Sequence, residues 1–222
     1  MNFRCQKYNL SKQFQMPECH CETIEEITQI AVWKITETES ELVSGLALSQ
    51  VALNRLALRR SEVHRKGYLA IRQLLKRFGI DPLTHQYDEN GAPYLTNGSH
   101  LSITHTKDVA AIAISEKPVG IDLEHYQKKI LKIGPRFLHN EETQDPEKVN
   151  DIRFLTQTWT AKEALYKVFR KPGIHFNTQL CIQPFKAADS QGAGTVFEQG
   201  KTHHYTLYYR YFDQFCLSLA TQ

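Results

Sequence analysis

The stretch that decides the fold is Val119-Gly120-Ile121-Asp122-Leu123-Glu124-His125, in which apolar and polar residues alternate. This alternation predicts a β-strand, because successive side chains of a strand point to opposite faces. Asp122 and Glu124 then share one face, while Ile121 and Leu123 point into the core. Two carboxylates this close repel each other, and a lone pair of this kind is typical of a solvated strand end. A divalent cation such as Mg²⁺ reverses that argument, since it takes one or two carboxylates from a protein.

A second stretch, Trp159-Thr160-Ala161-Lys162-Glu163-Ala164-Leu165-Tyr166-Lys167, lies on a predicted helix. Taken alone, Glu163 and Lys167 are spaced i, i+4 and form an ordinary exposed ion pair. Combined with the acids of the strand, however, this helix adds a third carboxylate and two lysines, Lys162 and Lys167. Carboxylates that hold a metal, beside lysines that hold phosphate, are what phosphoryl transfer needs.

The order of the predicted elements indicates an α+β protein. The spacing of Ile71, Leu74, Leu75 and Phe78 predicts one apolar face on a helix over 61–78. A second long helix is predicted after Asp145-Pro146, ending near Arg170, and strands are predicted over 29–35, 101–105, 109–115, 119–124, 179–185, 194–198, 205–212 and 215–220. Residues 116–118 are predicted to form a hairpin turn, and residues 187–194 a loop. Helix followed by sheet, twice, predicts two pseudo-symmetric α+β halves, residues 1–115 and 116–222.

Composition narrows the class of protein. The chain has 222 residues, of which 41% are hydrophobic and 23% charged, enough apolar material for a sizeable core. Its net charge of +3 argues against a protein that coats nucleic acid through bulk charge. Five cysteines at irregular spacing, and an N-terminal stretch with no apolar segment, predict reduced thiols and a cytoplasmic location. The longest strongly apolar run, residues 109–114, is too short to cross a membrane.

The two stretches together resemble a known signature. Val119-Gly120-Ile121-Asp122, followed by Trp159-Thr160-x-Lys162-Glu163-Ala164-x-x-Lys167, is similar in residue type and spacing to the two-part motif of the 4′-phosphopantetheinyl transferases. Gly91-Ala92-Pro93-Tyr94 and the segment 101–106 are similar to two further segments of that family. The length and the presence of two halves resemble the surfactin-synthetase-activating type, a single-chain pseudodimer. This resemblance implies an active site in the cleft between the halves.

The resemblance also implies roles for the charged residues. Asp122, Glu124 and Glu163 would hold Mg²⁺, with Mn²⁺ as an alternative ion, against the pyrophosphate of coenzyme A. Glu163 would also help to deprotonate the acceptor serine. Lys162 and Lys167 would neutralise charge on the diphosphate and on the departing 3′,5′-ADP. Glu163, Lys167 and Asp122 are therefore the catalytic residues that the resemblance implies.

Further coenzyme A contacts are implied in the first half of the chain. His105 matches the histidine that meets the 3′-phosphate of coenzyme A, and Thr104 occupies the neighbouring position near the adenine. The family usually has a lysine where this chain has Ala92. Basic residues in or just before the first long helix are the candidates to replace that cation, with Arg65 as the first choice.

The function implied is transfer of 4′-phosphopantetheine from coenzyme A to a serine hydroxyl of an acidic acyl or peptidyl carrier protein, with release of 3′,5′-ADP. A monomer is expected, because two fused halves remove the usual need for self-association, and neither nucleic acid nor a membrane is an expected partner. Two alternatives stay open on the residues alone. One is a Mg²⁺-dependent nuclease or phosphohydrolase, and the other is a non-catalytic basic module that binds nucleic acid through residues 59–77.

Overall fold

The fold is mixed α+β, as the element order predicted. A computed structural model describes residues 19–81 and 84–222, and these residues divide into two compact units between Glu116 and Lys117. No helix in the described ranges is long and apolar enough to span a membrane. The pseudo-symmetry of the two halves stays a prediction.

The N-terminal unit consists of an antiparallel sheet, a separate hairpin and three helices. Its strands are β1 (Cys19–Ile24), β2 (Thr28–Lys34), β3 (His85–Tyr87), β4 (Pro93–Leu95), β5 (His100–His105) and β6 (Val109–Ser115). Its helices are α1 (Glu39–Val43), α2 (Gln50–Ala57) and α3 (Glu62–Arg77). The sheet has the order β1-β2-β6-β5, and β3 pairs with β4 alone. The predicted apolar face of α3 is buried in the core of this unit together with Ile112 of β6.

Two short helices of this unit begin at side-chain caps. The hydroxyl of Thr38 accepts a hydrogen bond from the backbone N–H of Glu41, and the Glu41 carboxylate accepts one from the backbone N–H of Thr38. This reciprocal arrangement satisfies two donors at the start of α1. Ser49 caps α2 in a similar way. The sequence pattern does not predict α2, because this helix has no clear apolar face. Its apolar residues Val51 and Leu53 are exposed.

The C-terminal unit has one five-stranded antiparallel sheet. Its strands are β7 (Val119–His125), β8 (Leu180–Ile182), β9 (Gln191–Glu198), β10 (Lys201–Tyr211) and β11 (Phe215–Thr221), in the order β7-β11-β10-β9-β8. Its helices are α4 (Lys129–Phe137), α5 (Ile152–Phe169) and α6 (Phe176–Gln179), with 3₁₀ turns at Asn140–Thr143 and Lys148–Asn150. Helix α5 is the long helix of the sequence analysis, and its buried residues Ala161 and Leu165 pack with Val196 and Leu207 of the sheet.

Two expectations about the connections are wrong. Residues 116–118 do not close a hairpin, because β6 pairs with β2 and β5, whereas β7 pairs with β11 in the other sheet. Both edges of β6 are already occupied, so no edge is left for β7. The predicted loop at residues 187–194 is also too long, since β9 begins at Gln191 and pairs with β10.

Cys181 and Cys216 are buried thiols that form no disulfide with any described cysteine. Cys5 and the side chain of Cys19 lie outside the described residues.

Candidate active site

Strand β7 presents its two acids on one face, as predicted. It pairs with β11 so that Asp122 lies opposite Ser218 and Glu124 opposite Cys216. Ile121 and Leu123 occupy the alternate positions and are buried, with 0% and 1% of their surface exposed. The acids themselves are largely withdrawn from solvent, because helix α5 covers this strand.

Gly120 permits the close approach of α5 to β7. A β-carbon at this position would lie 2.0 Å from the carbonyl oxygen of Ala164 and 2.7 Å from the amide nitrogen of Val168. Backbone atoms cannot move aside as a flexible side chain can, so only glycine fits at this contact. The contact explains the glycine immediately before the acidic strand positions, and it brings Glu163 and Lys167 of the same helix near them.

Buried hydrogen bonds fix the position of α5 along the sheet. The side-chain amide of Gln157 donates to Ser218 Oγ at 2.6 Å, and the hydroxyls of Thr160 and Ser218 lie 2.8 Å apart. All three residues have no exposed surface. Because buried polar groups are costly to leave unpaired, these contacts define one register of the helix on β11, next to Asp122.

Lys167 forms an ion pair with the acidic strand. Its ammonium donates to Asp122 Oδ1 at 2.7 Å and to the backbone carbonyl of Ile121 at 2.9 Å. The lysine side chain is 27% exposed and that of Asp122 is 9% exposed, so the pair lies at the edge of the buried region. One end of the carboxylate cluster is therefore neutralised by a cation that solvent can still reach.

The two glutamates of the cluster hold their protons more tightly than usual. Burial raises the pKa of Glu163 to about 7, with the nearby Asp122 and Glu124 raising it further and Lys167 opposing the shift. Burial and the charge of Asp122 likewise raise the pKa of Glu124. The carboxylates are thus close enough to repel each other, and added positive charge at this place would lower the free energy of their ionised forms.

The spacing of the three acids is wider than in a closed metal site. Across residues 19–81 and 84–222, the group of three ligand-type side chains whose ligand atoms all lie within 4.8 Å of one another is His139, Glu141 and Cys181. Two oxygens bound to the same Mg²⁺ are at most about 4.2 Å apart, twice the usual Mg–O distance. The structure therefore makes Asp122, Glu124 and Glu163 neighbours without bringing them to the spacing of a bound ion.

The cluster of His139, Glu141 and Cys181 links the start of the 3₁₀ turn at Asn140–Thr143 to strand β8. The Cys181 thiol donates to Glu141 Oε2 at 3.5 Å. Burial raises the pKa of this thiol to about 12, with the charge of Glu142 next in effect.

Lys162 does not join the acidic cluster, which corrects the expectation that it contacts the diphosphate. Its side chain is 0% exposed and lies 2.8 Å from Glu142 Oε2. Its ammonium also donates to the backbone carbonyls of Phe137, Phe176 and Leu180 at 2.6, 3.0 and 2.8 Å. The reason is the helical geometry, since adjacent residues point about 100° apart and only Glu163 faces β7.

The sequence pattern does not reveal the role of Glu142 in this network. Besides Lys162, its carboxylate accepts hydrogen bonds from the backbone N–H of Ile182 at 2.7 Å and of His139 at 2.8 Å. Glu142 thus joins the 3₁₀ turn at Asn140–Thr143 to β8 and α5. No local pattern indicates the contacts with Lys162 and Ile182, because these two residues are 20 and 40 positions away in the chain.

The predicted residues of the N-terminal unit lie on two of its elements. Thr104 and His105 end strand β5, and Thr104 is buried. The guanidinium Nε of Arg65 on α3 donates to the Glu39 carboxylate at 2.8 Å. Gly67 of α3 makes room for His105, since a β-carbon there would lie 2.5 Å from the ring Nδ1. The His105 ring therefore lies against helix α3, which also carries Arg65.

The C-terminal unit is thus an α+β fold with an acidic site. Its long helix carries a glutamate and a lysine, and it packs on a strand that carries two further carboxylates. The sequence of residues 118–220 matches the 4′-phosphopantetheinyl transferase superfamily. The matched residues cover nearly all of the C-terminal unit, including β7, α5 and the whole acidic cluster.

Two characterised relatives carry the same family name. The chain is 28% identical over 124 residues to the 4′-phosphopantetheinyl transferase gsp of Aneurinibacillus migulanus, covering 54% of this chain and 50% of that protein. It is 26% identical over 141 residues to the 4′-phosphopantetheinyl transferase of Bacillus subtilis, covering 58% of this chain and 62% of that protein. The chain therefore matches about half to three fifths of the length of these relatives.

Proposed function

We propose that this protein is a 4′-phosphopantetheinyl transferase that moves the phosphopantetheine arm of coenzyme A to a serine hydroxyl of an acyl or peptidyl carrier protein. The observation that carries the proposal is the placement of Glu163 and Lys167 beside Asp122 and Glu124, within the part of the chain that matches the superfamily. A cluster of acids with one accessible lysine suits a reaction in which catalysis is mostly positioning and charge stabilisation.

The acidic cluster has the donor set that Mg²⁺ or Mn²⁺ prefers. Asp122, Glu124 and Glu163 offer only carboxylate oxygens. Burial, and next the negative charge of Asp122, raises the pKa of both glutamates, and a divalent cation would offset that charge. Together with the diphosphate of coenzyme A these three residues would hold the ion, after small side-chain rotations. When bound, the ion supplies charge neutralisation at the phosphates.

The chain's own residues account for the proton and for the charge. The serine hydroxyl gives its proton to Glu163 while its oxygen attacks the β-phosphorus of coenzyme A. The bond from that phosphorus to the bridging oxygen breaks, and 3′,5′-ADP leaves with the bonding electrons. Glu163 accepts the proton as a carboxylate, and Lys167 neutralises charge on the diphosphate of the departing 3′,5′-ADP.

Coenzyme A also contacts the N-terminal unit in this proposal. His105, Thr104 and Arg65 are the residues that the family resemblance assigns to it, and the ring of His105 and the guanidinium of Arg65 both lie against helix α3. Arg65 has to exchange its bond to Glu39 for one to phosphate, an exchange between two anionic partners. We expect a monomeric enzyme of the cytoplasm.

The test is a transfer assay with purified components. The protein is incubated with coenzyme A, MgCl₂ and an apo carrier protein, and the carrier is weighed by mass spectrometry. The proposal predicts a mass gain equal to one phosphopantetheine arm, lost in EDTA and restored by excess Mg²⁺ or Mn²⁺. A panel of apo carriers that gains no mass would overturn it. Carrier-independent phosphate release, or tight binding of nucleic acid instead, would favour the two alternatives named from the sequence.

A further inference from the structure

A cavity of about 300 Å³ lies within the N-terminal unit, and its lining residues do not include those proposed for catalysis or coenzyme A binding. It is formed by the segment before α2, by α2 and α3, and by strand β3. Most of its wall is apolar, contributed by Leu46, Leu48, Ala52, Leu75 and Ile80. This volume is at the lower end of the roughly 300–1,000 Å³ of ordinary small-molecule sites, so the cavity suits a small apolar body.

Two arginines also line this cavity, and both are stacked on tyrosine rings. The Arg72 guanidinium lies 3.1 Å from the centre of the Tyr68 ring, and that of Arg55 lies 3.6 Å from the centre of the Tyr87 ring. Tyr68 and Tyr87 are themselves part of the wall. Stacking holds the planar guanidinium groups in fixed orientations, so the cations are positioned without being neutralised.

Arg72 is buried without an anionic partner. Its exposed fraction is 8%, and its two terminal nitrogens donate to the Tyr68 carbonyl at 3.0 Å and to the Tyr87 hydroxyl at 3.1 Å. Its Nε is buried and has no hydrogen-bond partner. No described carboxylate forms an ion pair with Arg55 or Arg72, and Asp81 at the rim is exposed. A buried cation in this state is unfavourable unless something compensates it.

The remaining charged groups of the wall do not supply this compensation. The Lys76 ammonium donates to the backbone carbonyl of Gly45 at 2.7 Å and adds positive charge. Burial lowers the pKa of His85 to about 4, with Arg72 and then Arg55 lowering it further, so its ring is neutral at pH 7. The cavity therefore joins an apolar wall to two stacked, uncompensated guanidinium groups.

We propose that this cavity binds a small molecule with an apolar body and a single carboxylate, whose carboxylate pairs with Arg72 and Arg55. A planar carboxylate matches the fork of N–H donors that a guanidinium offers, and its one negative charge is less costly to bury than the two of a phosphate dianion. The apolar body removes the surface of the aliphatic wall from water. The site is independent of the proposed transferase reaction, so either can fail without the other.

Octanoate is a suitable probe because it has one carboxylate and a flexible apolar chain. Its binding to the full chain is measured by calorimetry, beside 1-octanol as the neutral counterpart of the same length, inorganic phosphate and coenzyme A. We expect saturable one-to-one binding of octanoate, with 1-octanol weaker by about ten- to a hundredfold, the value of a charge-assisted hydrogen bond. Equal binding of the two, tighter binding of phosphate, or displacement of octanoate by coenzyme A would each overturn the proposal.

Three variants separate charge from shape. Arg72→Met should weaken octanoate binding about ten- to a hundredfold while leaving 1-octanol binding unchanged. Ala52→Phe fills the apolar side and should weaken both probes. Arg77→Met makes the same chemical change on α3 at a residue that does not line the cavity, and should weaken neither. If Arg72→Met and Arg77→Met bind octanoate equally well, the carboxylate does not pair with Arg72.

A readout on the unaltered protein keeps the test independent of whether the variants fold. The ring of His85 lies in the cavity wall, where burial and then the nearby cations Arg72 and Arg55 hold its pKa down. An anion placed beside Arg72 offsets those cations and should raise this pKa, as followed by NMR titration of the histidine ring protons. Saturating octanoate with no change at His85, compared with 1-octanol, would mean that the carboxylate binds elsewhere.

Discussion

Lys162 and Glu163 are consecutive residues of α5, yet their side chains belong to two separate charge clusters. Lys162 is fully buried against Glu142 and three backbone carbonyls. Glu163 faces β7, where Asp122 and Glu124 raise its pKa beyond the effect of burial. One turn of one helix thus combines a structural ion pair with a residue of the candidate active site, and substitutions at the two positions should have different consequences.

Lys162→Met should mainly reduce stability. It leaves the buried Glu142 carboxylate without its cation, and breaking a buried pair in this way costs about 3–5 kcal/mol. Urea unfolding followed by circular dichroism measures the loss. Lys148→Met is the matched control, because its pair with Asp145 is 4.0 Å long and exposed, and such pairs contribute about 1 kcal/mol or less. A stable Lys162→Met protein with a raised KM for coenzyme A would instead support a direct contact with the substrate.

Gly120→Ala should disrupt the contact between β7 and α5. The added methyl group would overlap the backbone of Ala164 and Val168, so the helix has to move away from the strand. We expect a loss of at least about 2–3 kcal/mol, comparable to severe overpacking, together with loss of transfer activity. Gly173→Ala provides a comparison, because its β-carbon meets no atom within 4 Å and only its positive φ of 84° is strained. Native stability in Gly120→Ala would contradict this packing.

Glu163→Gln should abolish carrier modification while the fold is kept. Glutamine has the same shape but neither accepts the serine proton nor binds a cation as a carboxylate does, so we expect at least about a 100-fold loss of kcat. The rate is measured by mass spectrometry of the carrier, and the fold by thermal unfolding. Glu147→Gln, at an exposed position of the same unit, should retain full activity. Comparable activity in the two variants would remove Glu163 from the mechanism.

The raised pKa of Glu163 predicts how stability depends on pH. The folded protein binds this proton up to a pKa of about 7, whereas the unfolded chain releases it near 4.5. Folding therefore takes up a proton between these values, and the contribution of Glu163 to stability is present below pH 4.5 and lost as the pH rises through 7.

The difference between the wild type and Glu163→Gln isolates this contribution from other titrating groups. We expect the variant to be more stable than the wild type at pH 8 by roughly 1–3 kcal/mol, and the difference to shrink as the pH falls toward 4.5. Urea unfolding at a series of pH values measures it. A difference that does not vary with pH would mean that neither burial nor the carboxylates of β7 raise the pKa of Glu163.

Lys167→Gln tests the ion pair with Asp122. Without the ammonium, Asp122 loses its ion pair with Lys167, and the diphosphate loses a neutralising group. We expect at least about a tenfold loss of kcat/KM for coenzyme A, as for one charge-assisted hydrogen bond. Lys171→Gln is the control, because Lys171 pairs with Glu198 at the surface four residues further along. If both lysine variants behave alike, the position of Lys167 next to Asp122 has no special importance for the reaction.

Much of the candidate site could be predicted, because the local periodicity of the sequence indicates which side chains share a face of a strand or a helix. The period of two in residues 119–125 places Asp122 and Glu124 on one strand face, and the spacing of four places Glu163 and Lys167 on one helix face. These directions depend only on the geometry of the element that carries the residue. Helix α2 was missed because its apolar residues do not form such a pattern.

The sequence by itself determined which side chains share a face of β7 and of α5, and with them the superfamily that residues 118–220 match. Only the tertiary structure decided that β7 pairs with β11 rather than with β6, and that Lys162 is buried against Glu142 while Glu163 faces the acids. The physical reason is that side-chain direction is a property of a few neighbouring residues, whereas the partner of a strand edge or a buried charge is chosen by burial and hydrogen bonding among residues far apart in the chain.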